Sequence, residues 1–179
     1  MKDTGKIYIA PLNFRDVELF NSLSSELTII FGFPCAFLPL DADLFFAFNP
    51  ERNQYHSTKI IRRFGSEMPA NGVRILIVVN VDLYVPELNF VFGEAEIGGP
   101  AAIISVTRLR PEFYKMKPDQ TLYIERAIKE AVHELGHTFG LSHCPNSSCV
   151  MYFSNSLMDT YYKLSDFCSE CIRMLRKSL

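Results

Sequence analysis

The chain has 179 residues, 48% of them hydrophobic and 21% charged, a globular composition that excludes intrinsic disorder, collagen-like repeats and low-complexity polymers. That length suits one domain, 1–179, with a real core. Eighteen Lys and Arg against 20 Asp and Glu give a net charge of −2, which argues against nucleic acid as a partner. No apolar run is long enough for a membrane span, and Met1 to Phe14 lacks the apolar stretch and small-residue cleavage site of a signal peptide. The expectation is a soluble, cytoplasmic monomer with no membrane partner.

In chain order, Lys6 to Leu12 reads as a strand with Ile7 and Ile9 on one face. Arg15 to Phe31 follows as a helix, with Phe20, Leu23, Leu27, Ile30 and Phe31 at spacings of three and four and Gly32 as its stop. Cys35 to Leu40 reads as a short strand, and Asp41 to Tyr55 carries no clear period. Ser57 to Phe64 reads as a short helix with Ser57 as its cap. Arg74 to Tyr84 is the strongest strand, apolar enough to be central and covered on both faces. Phe90 to Ile97, with Gly93, Glu94 and Glu96, belongs at a sheet edge. Gly98-Gly99-Pro100 is a turn, and Ala101 to Leu109 a further strand.

A long helix is predicted from about Asp119 to Phe139, with Ile124, Ile128, Ala131 and Leu135 on one face and His133 and His137 on the other. A last helix runs from about Ser165 to the end. Strands interleaved with helices predict an α+β fold, a mixed sheet covered by helices.

Residues 133–143 read His-Glu-Leu-Gly-His-Thr-Phe-Gly-Leu-Ser-His. His133 and His137, one helical turn apart, bring two ring nitrogens to one metal. Glu134 is placed to reach a water on that metal, and Gly140 can turn the chain so that His143 returns as a third ligand. Three neutral imidazoles suit a catalytic zinc with one position left for water. Such a zinc lowers the pKa of its water and polarises a scissile carbonyl, while Glu134 acts as general base and later passes the proton to the leaving amine.

Four of the five cysteines cluster just beyond. Cys144 and Cys149 have four residues between them, Cys168 and Cys171 have two, and 18 residues separate the pairs. That spacing matches a tetrahedral structural zinc, a second metal ion per chain. Two disulfides, or buried thiols with Cys168 and Cys171 as a redox pair, are the alternatives. Isolated Cys35 reads as a buried thiol, and His56 as a surface or hydrogen-bonding residue.

The zinc signature resembles that of the metzincin metalloproteases. Its continuation through His143-Cys144, Cys149-Val150-Met151 and Cys168-x-x-Cys171 resembles the archaemetzincin family over the last third of the chain. Looser likeness extends to Asn89-Phe90-Val91-Phe92-Gly93-Glu94-Ala95 and Ser105-Val106-Thr107-Arg108-Leu109. The resemblance implies a twisted mixed sheet of about five strands with one antiparallel edge strand, a long active-site helix and a C-terminal helix. It divides the domain into an upper part, about 1–140, and a lower part, about 141–179. It implies zinc on His133, His137 and His143, Glu134 as base, and structural zinc on Cys144, Cys149, Cys168 and Cys171. It also implies a methionine beneath the catalytic zinc, Met151, with Met158 as the competitor, and a peptide substrate lying along the edge strand. Two functions are carried forward: a zinc metallopeptidase acting on peptides or proteins, and a zinc-stabilised module that binds peptide with little turnover.

Overall fold

Alternating side chains build two cores on the two faces of one sheet. In β1 (Lys6–Leu12), Ile7 and Ile9 point to one face, and Tyr8, Ala10 and Leu12 to the other. The structure is a computed structural model that describes residues 5–154 and 161–179. The main sheet has the order β2 (Cys35–Phe37), β1, β5 (Gly72–Val79), β8 (Ala101–Ser105), β7 (Gly93–Ala95). Its first four strands run parallel, and β7 pairs antiparallel to β8 at the edge, as expected.

Helices α1 (Val17–Phe31) and α3 (Gln120–Thr138) cover one face through Leu19, Leu23, Leu27, Tyr123, Ala127 and Leu135. Helix α2 (Ser57–Phe64) covers the other through Ile60, Ile61 and Phe64. The central strands are apolar along their length because both faces are covered. A last helix, α4, spans Ser169–Ser178. Among the described residues no helix is long and apolar enough to cross a membrane.

Several element bounds differ from expectation, each for a local reason. Helix α1 begins at Val17 because the Asp16 carboxylate accepts the Leu19 N–H at 3.1 Å. Ser57 does not cap α2; it is the first helical residue, and its hydroxyl is spent on Tyr84 and Glu94. The expected strand Arg74 to Tyr84 is two strands. β5 ends at Val79, and β6 (Leu83–Tyr84) joins a small second sheet with β3 (Phe48–Asn49) and β4 (Gln54–His56), in the order β3-β4-β6. Between them Asp82 is gripped by Arg108 at 2.6 and 2.7 Å and by Gln54 at 3.0 Å, which turns the chain out of the main sheet. β8 likewise stops at Ser105, whose hydroxyl bonds the Val81 carbonyl at 2.6 Å. α4 starts later than Ser165, with Cys168 at its N-cap.

Helix α3 departs most from the simple amphipathic expectation. Its first turns bury one stripe, but every residue from Glu130 to Thr138 is buried. The imidazole face is buried at the floor of a cleft beside β7.

Candidate metal centres and cleft

The Asp119 carboxylate caps α3 by accepting the Leu122 N–H at 2.9 Å, and the helix runs without interruption to Thr138. Gly140 then takes φ 89°, a left-handed conformation that costs a glycine little. The Leu141 N–H reaches back to the Gly136 carbonyl at 3.1 Å, and the chain reverses beneath the helix.

This reversal brings His143 to the two helical histidines. One ring nitrogen from each of the three lies within 4.8 Å of the others. His133 Nδ1 is 2.7 Å from the Val150 carbonyl, and His137 Nδ1 is 2.7 Å from the Leu141 carbonyl. A carbonyl only accepts, so both Nδ1 atoms carry the proton and both Nε2 atoms present lone pairs. Those Nε2 atoms are 3.1 Å apart. Two lone pairs at that distance repel unless a cation lies between them, so the donor set fits a metal ion. Burial lowers the pKa of all three imidazoles below the ordinary value of 6.5, with the Lys163 charge adding to it. This favours the neutral imidazole, the form that can ligate a metal.

Glu134 is 6% exposed and lines a cleft of about 760 Å³ that also reaches Arg62, Phe90, Glu94, Glu130 and His143. Burial first, then the Glu130 carboxylate, raises its pKa well above the usual 4.5, while Lys163 opposes the rise. Met151 is fully buried and packs on Gly136, between His133 and His137: a methyl group at Gly136 would sit 2.5 Å from the Met151 Sδ. Met158 lies outside the described residues.

The cysteine cluster adjoins this centre. The sulfurs of Cys144, Cys149, Cys168 and Cys171 lie within 4.8 Å of one another, with Cys144 and Cys168 at 3.8 Å. Four thiolates about 2.3 Å from a zinc ion would have edges of about 3.8 Å. All five cysteines are free, so the disulfide alternative finds no support. The Cys171 backbone N–H at the start of α4 pulls the Cys168 thiol down to about 7, while burial pushes Cys144 and Cys171 up. Cys144 N–H donates to the Met151 carbonyl at 2.9 Å, which ties the two centres together.

Sequence reasoning missed three contributors. Glu130 sits one turn before His133 on the same helix face, a signal available in the spacing alone. Lys163, with a fully buried side chain, places Nζ 2.9 Å from Glu130 Oε1. Glu94 is held by the hydroxyls of Ser57 and of Thr58, the latter at 2.7 Å. Nothing local marks either of these last two. His56 and Cys35 enter neither centre.

Residues 51–177 match the profile of Peptidase family M54. The archaemetzincin of Methanocaldococcus jannaschii is 41% identical over 171 residues, covering 96% of this chain and 93% of its own. That of Archaeoglobus fulgidus is 44% identical over 173 residues, covering 96% and 99%. The crystal structure of the Methanopyrus kandleri archaemetzincin superposes with a TM-score of 0.86 at 33% identity, over 99% of this chain and 96% of that one. The Archaeoglobus fulgidus archaemetzincin structure, complexed with malonate, gives 0.80 at 42% identity, over 94% and 99%.

Proposed function

Because the chain belongs to Peptidase family M54 and is a zinc metallopeptidase, we propose that His133, His137 and His143 hold its catalytic zinc and that Glu134 is the general base. Cys144, Cys149, Cys168 and Cys171 hold a second, structural zinc, and Met151 forms the floor under the first. The observation that carries this reading is the pair of Nδ1-anchored imidazoles with Nε2 atoms 3.1 Å apart, on the same helix as Glu134 and open to the cleft.

Zinc, when bound, supplies a Lewis acid that acidifies water and polarises the scissile carbonyl. The chain's own residues do the rest. The Val150 and Leu141 carbonyls fix the tautomer and aim of His133 and His137. Glu134 accepts a proton from the attacking water and delivers it to the leaving amine, a transfer helped by its raised pKa. No covalent link between protein and substrate is needed. The peptide extends along the outer edge of β7, the last strand of the sheet, where Gly93, Glu94 and Ala95 line the cleft. Main-chain pairing there favours sequence-tolerant binding. The four-cysteine centre has no open position and serves to pin the chain just after His143.

The test is cleavage of a diverse quenched peptide library by the zinc-loaded protein, with Glu134→Ala in parallel. Cleavage that disappears in the variant is expected. Equal cleavage by both proteins removes Glu134 from the mechanism. No cleavage by either, with zinc present in both centres, points instead to a peptide-binding module.

A further inference from the structure

Strand β7 reads Gly93-Glu94-Ala95, and its side chains alternate between the two faces of the sheet. On the α2 face, the Glu94 carboxylate accepts hydrogen bonds from Ser57 and Thr58, the first two residues of that helix. A carboxylate is favoured at a helix N-terminus, so Glu94 fixes the strand against α2. On the α3 face, Gly93 lies directly on Glu134. A methyl group at Gly93 would sit 2.6 Å from Glu134 Cγ and 2.8 Å from Oε1. Carbon atoms do not approach to 2.6 Å, so either the Glu134 side chain or the strand would have to move.

Backbone conformation does not demand glycine here, because Gly93 is not among the residues with positive φ. Ala95, two residues on and on the same face, carries its Cβ and packs against the core. The side chain is missing only where α3 brings the carboxylate to the strand.

We infer that Gly93 is a positioning residue for peptide hydrolysis: its bare Cα sets where the Glu134 carboxylate rests, and Glu94 holds the strand in place from the opposite face. This rests on Glu134 as the general base. One strand thereby serves both partners in the reaction. Its outer edge faces the substrate, and its inner face seats the base.

The Ile103 carbonyl oxygen would also lie 2.7 Å from a Gly93 methyl. A double-mutant cycle separates the two contacts, since the carbonyl is met whatever residue occupies position 134. The four proteins are wild type, Gly93→Ala, Glu134→Ala and the double variant, each zinc-loaded. Gly93→Ala is expected to lower Tm by about 5 °C in the wild-type background, and by less than half as much in the Glu134→Ala background, where the space is vacated. In the zinc-loaded single variant kcat falls about 100-fold, as for a catalytic group displaced by about 1 Å. KM and zinc content stay at wild-type values.

Equal Tm losses in both backgrounds, or failure of both Gly93→Ala proteins to fold, would assign the glycine to the Ile103 carbonyl and overturn the inference. Wild-type kcat in Gly93→Ala would overturn it as well. Full activity in Glu134→Ala is a separate failure. It would remove the base, while the melting cycle still reports whether Gly93 seats that side chain.

Discussion

The two proposed metal centres share a neighbourhood but are built in opposite ways. At the histidine centre, two ligands stand four residues apart on one helix, and their rings are aimed by backbone carbonyls. Helix geometry alone brings them together before any ion arrives. At the cysteine centre, the ligands come from the segment after His143 and from the start of α4. Cys144 and Cys168 are 24 positions apart in sequence. No single element gathers them, so in the proposed reading a bound metal contributes the closure. The first centre is made ready by secondary structure and left open to a cleft. The second is closed and holds the chain.

The largest effect should come from breaking the closed centre. Cys168→Ser should lose one zinc and lower Tm by more than about 10 °C, or prevent folding, because structural zinc contributes folding free energy directly. An unchanged melt with both zincs retained would remove the distinction between the centres. The mirror experiment is His143→Ala. It should lose the zinc of the histidine centre and all hydrolysis while the cysteine centre stays loaded and the fold holds, which metal analysis and melting read together.

Next in size is the buried ion pair behind the histidine centre. Lys163→Met leaves Glu130 buried and unpaired, at a cost of about 3 kcal/mol in denaturant unfolding. Adding Glu130→Gln should recover most of that loss. If the double variant is no more stable than Lys163→Met, the pair is not what holds the segment around Lys163 to α3.

The smallest effect sharpens the contrast between function and stability. Burial holds the folded pKa of Glu134 above its unfolded value of 4.5. The folded state therefore binds more protons than the unfolded state above that pH, and its stability falls as pH rises through the folded value. Glu134→Gln should raise Tm by about 2 °C at about pH 7, with the gap closing toward about pH 4.5, while hydrolysis is lost. A lower Tm in the variant would mean that the carboxylate is stabilised by partners the fold provides.

Much of the fold was legible because it is periodic. Ile7 and Ile9, the three-and-four spacing of α1, Gly32 as its stop and the edge position of β7 all follow from local rules. Asp41 to Tyr55 was not legible, because β3 and β4 are too short to carry a period and exist only through pairing with each other and with β6. The break at Asp82 was hidden for a related reason. Its cause is Arg108, which lies 26 residues away. The covering of α3 was misjudged because a hydrophobic pattern cannot register a face that buries histidines and glutamates.

The sequence by itself determined which residues can meet a metal: His133 and His137 by helical spacing, His143 through the turn at Gly140, and the four cysteines by their pairing. These depend on backbone geometry within a few residues, or on the chemistry of the side chain alone. Only the tertiary structure decided that Lys163 would stand behind Glu130, that Glu94 would tie β7 to α2, and that Glu134 would rest on the bare Cα of Gly93. Such contacts join elements distant in the chain. Their partners are chosen by how helices and strands pack, which no local spacing records.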